Sequence, residues 1–460
     1  MSANTLEETL NASARNALLR EVIARIREHD VKHIYLQYVS IQGRVMGKVI
    51  PARHLERIAE RGLAWTYLSA GGFAESRHGG PIGPSAEDVA EGVMIPDLST
   101  FQILPWDTDM ARVFCDHFHR LDDDERPGAV ALSDSRQNLK RVLAEFEAAL
   151  GYEVRTGCEP EMSWFPDGVV AAPAMNLPGN VGPSYHIGEL ERMRPVIKQV
   201  TRYGQAMGLD MIQADYEDPG QIEINFGFGP ALATADRLVT YRQICMQVAH
   251  EFGMLATFMP KPVAGIMANG CHHHISLWRG EDSAFEGAHG KLNELGRHAI
   301  GGLLTHARGM SAIVAPTVNS YARFWEVGMF APSTPTWGPE NRQCLVRVLG
   351  DRMEYRAPDA SCNPYLSHAV VVTAVRAGIE QRLSPGPVTE AGGGPVDGAF
   401  GEIPRTLGEA LDAVQADPVV AASMSAELLQ TFVELKTDEW HRACGAVTDW
   451  DREMYLRYLP

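Results

Sequence analysis

The sequence predicts an α+β fold built from two unequal parts, and three observations carry that expectation. A stripe of apolar residues at helical spacing opens the chain, a strand–turn–strand pattern follows, and helices and strands then succeed one another with no internal repeat. The 460 residues suffice for two or three domains at roughly 150 residues each. With 45% hydrophobic and 22% charged residues, the chain can bury a sizeable core without disulfides, which excludes large-scale disorder.

Taken in order, Leu18, Leu19, Val22, Ile23 and Ile26 share one face of a helix over 13–28. Residues 33–39 and 44–50 read as two strands joined through Gly43 into a hairpin. Residues 69–92 form a Gly/Pro-rich stretch too long for a mere connector, and a strand is expected over 111–118. The polar segment 119–134 marks the boundary between a domain of residues 1–125 and a larger one of residues 126–460. The second part is expected to hold helices over 135–149, 190–207, 235–252 and 293–313, strands over 152–165, 221–228 and 268–277, and an amphipathic helical tail from about Leu407.

Charge narrows the function. Lys and Arg number 41 against 58 Asp and Glu, a net −17 that argues against a partner made of phosphates, whether nucleic acid or an anionic membrane. Nothing approaches the roughly 18 consecutive apolar residues of a transmembrane helix, and the first residues do not read as a secretory signal. Seven scattered cysteines without a CxxC read as reduced thiols, so a cytoplasmic location is expected.

Acids, histidines and arginines concentrate in strand-like segments. Glu159 and Glu161, two apart, share one face of a strand. Asp215, Glu217, Asp218 and Glu223 surround a Pro-Gly turn. His272 and His274 share a face, which suits two metal ligands, or one ligand and one donor to a phosphate. Arg342, Arg347, Arg352 and Arg356 sit around Glu354, and such a fan is readily explained by phosphate or carboxylate ligands. Oxygen-rich ligands with one imidazole suit Mg²⁺ or Mn²⁺ better than zinc. Carboxylates and arginines together point to phosphoryl chemistry, and neither a Walker A sequence nor a protein-kinase glycine loop is present.

These segments, in this order, resemble the glutamine synthetase superfamily. PDLSTFQILPW at 96–106, CEPEMSWF at 158–165, PGQIEINF at 219–226, ATFMPKP at 256–262, NGCHHHISL at 269–277, PTVNSYARF at 316–324, ENRQCLVRV at 340–348 and RMEYRAPD at 352–359 carry the resemblance. It implies an N-terminal β-grasp domain and a catalytic domain with a curved antiparallel sheet. It also implies a ligase in which ATP phosphorylates the γ-carboxylate of L-glutamate and an amine displaces the phosphate, with two or more divalent metals per site. By the same resemblance Glu161, Glu217 and Glu223 hold one metal, with Asp215 or Asp218 as substitutes for Glu217, while Glu159, His272 and Glu354 hold the other. Arg342 and Arg356 face the transferred phosphoryl. His274, Ser276, Arg347 and Arg352 fall on the nucleotide side, and Arg323, Asn269 and Gly270 on the glutamate side. His273, on the opposite face, reads as structural.

Two positions depart from glutamine synthesis. Members that use ammonia surround NH₄⁺ with a flap acid just before Ala-Pro and an acid in the hairpin of a neighbouring subunit. Here Phe330 and Ser40 stand at those positions, and Trp325 adds apolar surface. The expectation is therefore a small alkyl- or arylamine as co-substrate, with Glu326 available as the base. Glutamate–ammonia ligase is the first alternative and an inactive ring-forming homologue the second. The resemblance also implies a homo-oligomer, two stacked hexameric rings with active sites between subunits.

Overall fold

The computed structural model describes residues 5–83, 91–166, 168, 170, 182–287, 291–325, 331–390 and 400–457. Its first six strands are β1 (His33–Val39), β2 (Val45–Pro51), β3 (Leu63–Thr66), β4 (Glu91–Pro96), β5 (Gln102–Leu104) and β6 (Asp107–Phe118). They form a mixed sheet in the order β2-β1-β6-β4-β3, with β5 also on β6; β1 and β6 run parallel and the other pairs antiparallel. Val22 and Ile26 of the helix Ser13–Glu28 pack on Ile34, Leu36 and Val113, which closes this small α+β unit in the β-grasp manner. The hairpin lies where expected, with Gly43 at φ 81°, a conformation that favours glycine at the turn.

The second sheet is built from β7 (Glu153–Pro166), β8 (Met211–Asp218), β9 (Gln221–Phe226), β10 (Gly229–Pro230), β11 (Met254–Thr257), β12 (Cys271–Arg279), β13 (Asp282–Ser283), β14 (Trp337–Pro339), β15 (Val346–Leu349) and β16 (Arg352–Tyr355). Its order is β14-β15-β16-β12-β7-β9-β8, antiparallel throughout that path except for the edge pair β14 and β15. Val39, Ile41 and Phe114 of the first unit share an apolar cluster with Leu139, Tyr365 and Phe432 of the second. The Asn363 side chain donates to the carbonyls of Ser40 and Ile41 at 3.0 and 3.2 Å, so the turn of the hairpin is tied to the catalytic part of its own chain.

Two expectations are corrected. The helix expected over 293–313 is two helices, Glu294–Thr305 and Ala307–Val314, broken at His306, whose ring meets an Asp417 oxygen at 2.7 Å. The helix Pro364–Glu380 was not anticipated, because 13 of its 17 residues are buried and its polar stripe, Thr373, Arg376 and Glu380, is confined to the C-terminal half. It begins on Asn363, whose side chain accepts from the N–H groups of Tyr365 and Leu366.

Candidate active site

Strand alternation and register assemble the site. In the β7–β12 ladder His272 stands opposite Glu159 and His274 opposite Gly157, so the two carboxylates of β7 and the two imidazoles of β12 face the same way. β16 sets Glu354 opposite His274, β9 sets Glu223 opposite Glu161, and β8 sets Asp215 opposite Glu223. Five adjacent strands thus direct donors to one face.

The donors fall into two groups. Glu159, His272 and Glu354 each offer an atom within 4.8 Å of the others, and so do Asp215, Glu217 and Glu223. Glu161 stands between them. One of its oxygens lies 3.8 Å from His272 Nε2, and the other accepts from the Gly270 N–H at 2.6 Å and from Gln221 Nε2 at 3.3 Å. Asp218 is not part of either group, because its carboxylate accepts from the Met267 N–H at 2.7 Å.

Their electrostatics differ. Burial would raise Glu159, but hydrogen bonds and charge from His272 and His274 hold its carboxyl well below the usual range. Glu354 is likewise held at about 2, its burial outweighed by the hydrogen bond and charge of His272 and by the charge of Arg356. His272 is pushed up in return: burial and Arg356 oppose its charge, and hydrogen bonds to Glu159 and Glu354 win. In the second group burial and then neighbouring carboxylates, Glu159 and Glu161, push Glu223 far up, and burial followed by Glu161 raises Glu217. Asp215 is raised mainly by burial. Converging carboxylates that suffer from their own charge form a donor set suited to a hard, oxygen-seeking divalent cation. The first group, two carboxylates and an imidazole, suits Mg²⁺ or Mn²⁺ as well.

The arginines frame this face. Arg356 donates to Glu354 and lies 3.4 Å from His272 Nδ1. Arg347 donates to the other Glu354 oxygen at 3.1 Å and to Glu340 at 3.0 Å, and Arg352 Nε donates to His274 Nδ1 at 3.3 Å. Arg342 is exposed, hydrogen-bonded to Tyr185 and within the field of Glu217. Ser276 accepts from the Trp278 indole at 2.8 Å and donates to the Arg155 carbonyl at 3.3 Å.

On the side expected to take glutamate, Arg323 is buried and donates to the carbonyls of Ala357 and Arg356 at 2.9 and 3.0 Å, with His272 Nε2 at 3.5 Å. Gly270 permits this crowding. A Cβ there would stand 2.8 Å from His272 Nε2, 3.0 Å from Arg323 Nη2 and 3.3 Å from a Glu161 oxygen. Trp325 is exposed, with the Arg405 guanidinium 4.7 Å above its ring.

Two residues are placed differently from the expectation. Asn269 is fully buried; its amide oxygen accepts from Gln221 at 2.8 Å and its nitrogen donates to the Met259 carbonyl at 2.8 Å, so it fixes the approach to β12 rather than offering itself to a substrate. Ser40 has no exposed surface, and its hydroxyl accepts from the Arg44 N–H at 3.3 Å within its own turn. Glu326 and Phe330 lie outside the described residues.

Sequence reasoning missed Tyr185 and Gln221. Tyr185 takes φ 59° and puts its hydroxyl 3.5 Å from Glu217, an arrangement no pattern of residue types announces. Gln221 lies inside the quoted motif PGQIEINF, where its place two residues before Glu223 could have revealed it, and it joins Glu161, Asn269 and the Ala268 carbonyl.

Comparison with known proteins gives this geometry a family. The model of the glutamine synthetase catalytic domain matches residues 132–455. The chain belongs to the glutamine synthetase family. It is 33% identical to the glutamate–methylamine ligase of Methyloversatilis universalis, over 94% of this chain and 98% of that one. It is 34% identical to the glutamine synthetase of Pyrococcus abyssi, over 92% and 96% of the two chains. A solved structure described as "Apo GmaS without ligand" superposes with a TM-score of 0.83 at 31% identity, covering 94% of this chain and 98% of its own, and a "GmaS/ADP complex" superposes equally well. The chain is thus an enzyme of this ligase family, with its catalytic domain over residues 132–455. No described helix is long and apolar enough to cross a membrane.

Proposed function

We propose that the protein is an ATP-dependent ligase that joins the γ-carboxylate of L-glutamate to a small alkyl- or arylamine through γ-glutamyl phosphate. The observation that carries this reading is the pair of donor groups on five adjacent strands with Arg342, Arg347, Arg352 and Arg356 around them. Glu159, His272 and Glu354 would hold one divalent cation; Glu217 and Glu223, with Asp215 beside them and Glu161 between the groups, would hold the other. Such cations neutralise the charge that develops on a phosphoryl group in transfer.

The chain's own residues supply the remainder. Arg356, oriented by Glu354, and Arg342, oriented by Tyr185, are aimed at the phosphoryl oxygens. Arg347, Arg352 and His274 lie toward the nucleotide, with Ser276 beyond them. A glutamate γ-oxygen attacks the terminal phosphorus of ATP and ADP departs. The amine nitrogen then attacks the γ-carbonyl carbon, inorganic phosphate leaves, and Glu326 accepts the amine proton. Arg323, buried against His272, faces the glutamate side through Gly270.

The preference for an organic amine rests on charge. Phe330 brings no carboxylate to the flap, and Ser40, sealed in its own turn, brings none from the hairpin. Ammonium in a closed site needs such charges around it. The relatives, a glutamate–methylamine ligase and a glutamine synthetase at similar identity, frame the same choice. Assembly into two stacked hexameric rings is part of the proposal and is supported by the family resemblance alone; sedimentation of a fully active monomer would refute it. The chemistry is tested with glutamate labelled with heavy oxygen on its γ-carboxylate: the label is expected in inorganic phosphate, and its retention in the amide or in residual glutamate alone would exclude the acyl phosphate.

A further inference from the structure

Behind the strands that carry the candidate active site lies a second cluster that the proposed reaction does not use. Side chains alternate across a sheet, so the register that aligns His272 with Glu159 on one face aligns His273 with Cys158 on the other. Cys158 Sγ, Cys271 Sγ and a His273 ring nitrogen all lie within 4.8 Å of one another, and all three residues are buried. Cys158 Sγ is 3.8 Å from His273 Nδ1 and 4.0 Å from His368 Nε2. Cys362 and Cys158 both contact the Cys271 thiol.

Hydrogen bonds orient both imidazole rings. The Ser367 hydroxyl oxygen lies 3.2 Å from the Pro364 carbonyl and 2.9 Å from His273 Nε2, and the Nε2–H tautomer of His273 satisfies both contacts. That leaves the Nδ1 lone pair of His273 directed at the thiols. His368 Nδ1 lies 2.6 Å from the Pro364 carbonyl and must be the protonated nitrogen, since a carbonyl only accepts; its Nε2 lone pair faces Thr156 Oγ1 and Cys158 Sγ. Two imidazole lone pairs therefore meet a thiol with one proton to give. A ring nitrogen oriented by a hydrogen bond on its other side is the arrangement a metal-ligating histidine adopts.

We propose that Cys158, Cys271 and His273 form a site for a zinc-class ion on the face of the sheet opposite the active site. His368 beside Cys158 and Cys362 beside Cys271 are further donors. Sulfur and imidazole donors select a borderline-soft ion, whereas the carboxylates on the other face select a hard one. Donors around a tetrahedral zinc stand roughly 3.5 Å apart, close to the 3.8 Å between Cys158 and His273. Binding releases the two thiol protons to solvent, and a divalent cation with two thiolates and neutral imidazoles leaves the core without net charge. The ion would pin β7 to β12 beneath Glu159, Glu161 and His272.

The test uses the full-length protein. It is stripped with a chelator, supplied with excess Mg²⁺ and ATP to fill the catalytic face, and titrated with Co²⁺, whose thiolate complexes give a near-ultraviolet charge-transfer band that carboxylate sites lack. One band-forming ion per chain is expected, displaced by Zn²⁺ with a rise in unfolding temperature. Cys158→Ser combined with Cys271→Ser should lose the band, His272→Ala should keep it, and Ser367→Ala should weaken binding about tenfold by releasing the His273 ring. Absence of a band in the wild type overturns the proposal, even if the serine variants fail to fold. Persistence of the band in a folded double-serine variant overturns it too, since the ion then sits elsewhere.

Discussion

His272 lies directly across the β7–β12 ladder from Glu159, and its Nδ1 is 3.2 Å from one Glu159 oxygen and 3.2 Å from a Glu354 oxygen. One imidazole on the central strand thus joins two carboxylates from the strands on either side. His272→Ala should leave Glu159 and Glu354 repelling each other and reduce turnover about a hundredfold or more, the order of loss when a transition-state charge contact is removed. Steady-state kinetics at saturating Mg²⁺ or Mn²⁺ checks this, and near-normal turnover would contradict the assignment.

Asp215, Glu217 and Glu223 give a signature that does not require substrate. Their carboxyls are raised above the ordinary range, so they stabilise the metal-free protein at low pH and that contribution is lost as pH rises through their folded-state values. A bound divalent cation offsets the repulsion. The gain in unfolding temperature on adding Mg²⁺ should therefore grow as pH rises from the carboxylate range toward neutrality, and Glu223→Gln should stabilise the metal-free protein while removing most of that gain. A Mg²⁺ effect independent of pH would count against this group as a cation site. Glu354, held at about 2, acts in the opposite sense: its contribution is present above the ordinary range and fades only in strong acid.

Gly270 is required by contact rather than by backbone conformation. Gly270→Ala places a methyl group 2.8 Å from His272 Nε2 and 3.0 Å from Arg323, both buried groups with little room to retreat. The expected cost is about 1–3 kcal/mol of stability together with a loss of turnover larger than that destabilisation explains. Chemical denaturation paired with kinetics separates the two, and an active, equally stable variant would show that the crowding is not real.

Much of this site was legible in the sequence because strands obey a period of two. Glu159 and Glu161, or His272 and His274, could be assigned to common faces from spacing alone, and the arginines around Glu354 were visible as a cluster. Three-dimensional closure was not. Asp215 joins Glu217 and Glu223 only because β8 pairs with β9 through register shifts, between Met211 and Gln213 and between Tyr216 and Asp218, that no local pattern fixes. Asn269 was assigned to the glutamate side by family resemblance, and burial turns its amide inward to Gln221 and Met259. The helix Pro364–Glu380 escaped for the converse reason, being buried over most of its length, with Ser367 and His368 turned inward and only Thr373, Arg376 and Glu380 left as a short polar outer stripe.

The two positions on which the proposed preference for an organic amine rests should respond differently to an added acid. Phe330→Glu supplies the flap charge and should move kcat/KM toward ammonia and away from organic amines. Ser40→Asp cannot reinforce that change, because residue 40 is sealed against its own chain; it should instead destabilise the fold by several kcal/mol through an unpaired buried charge. A Ser40→Asp protein of normal stability with raised ammonia activity would show that the turn opens in the assembled enzyme.

The most direct measurement is phosphate release dependent on both ATP and L-glutamate, compared across ammonia, methylamine, larger alkylamines and aniline with the wild-type protein. The account predicts a kcat/KM for at least one organic amine well above that for ammonia. Ammonia as the best acceptor would make the protein a glutamine synthetase, and no turnover with any amine would contradict the ligase itself.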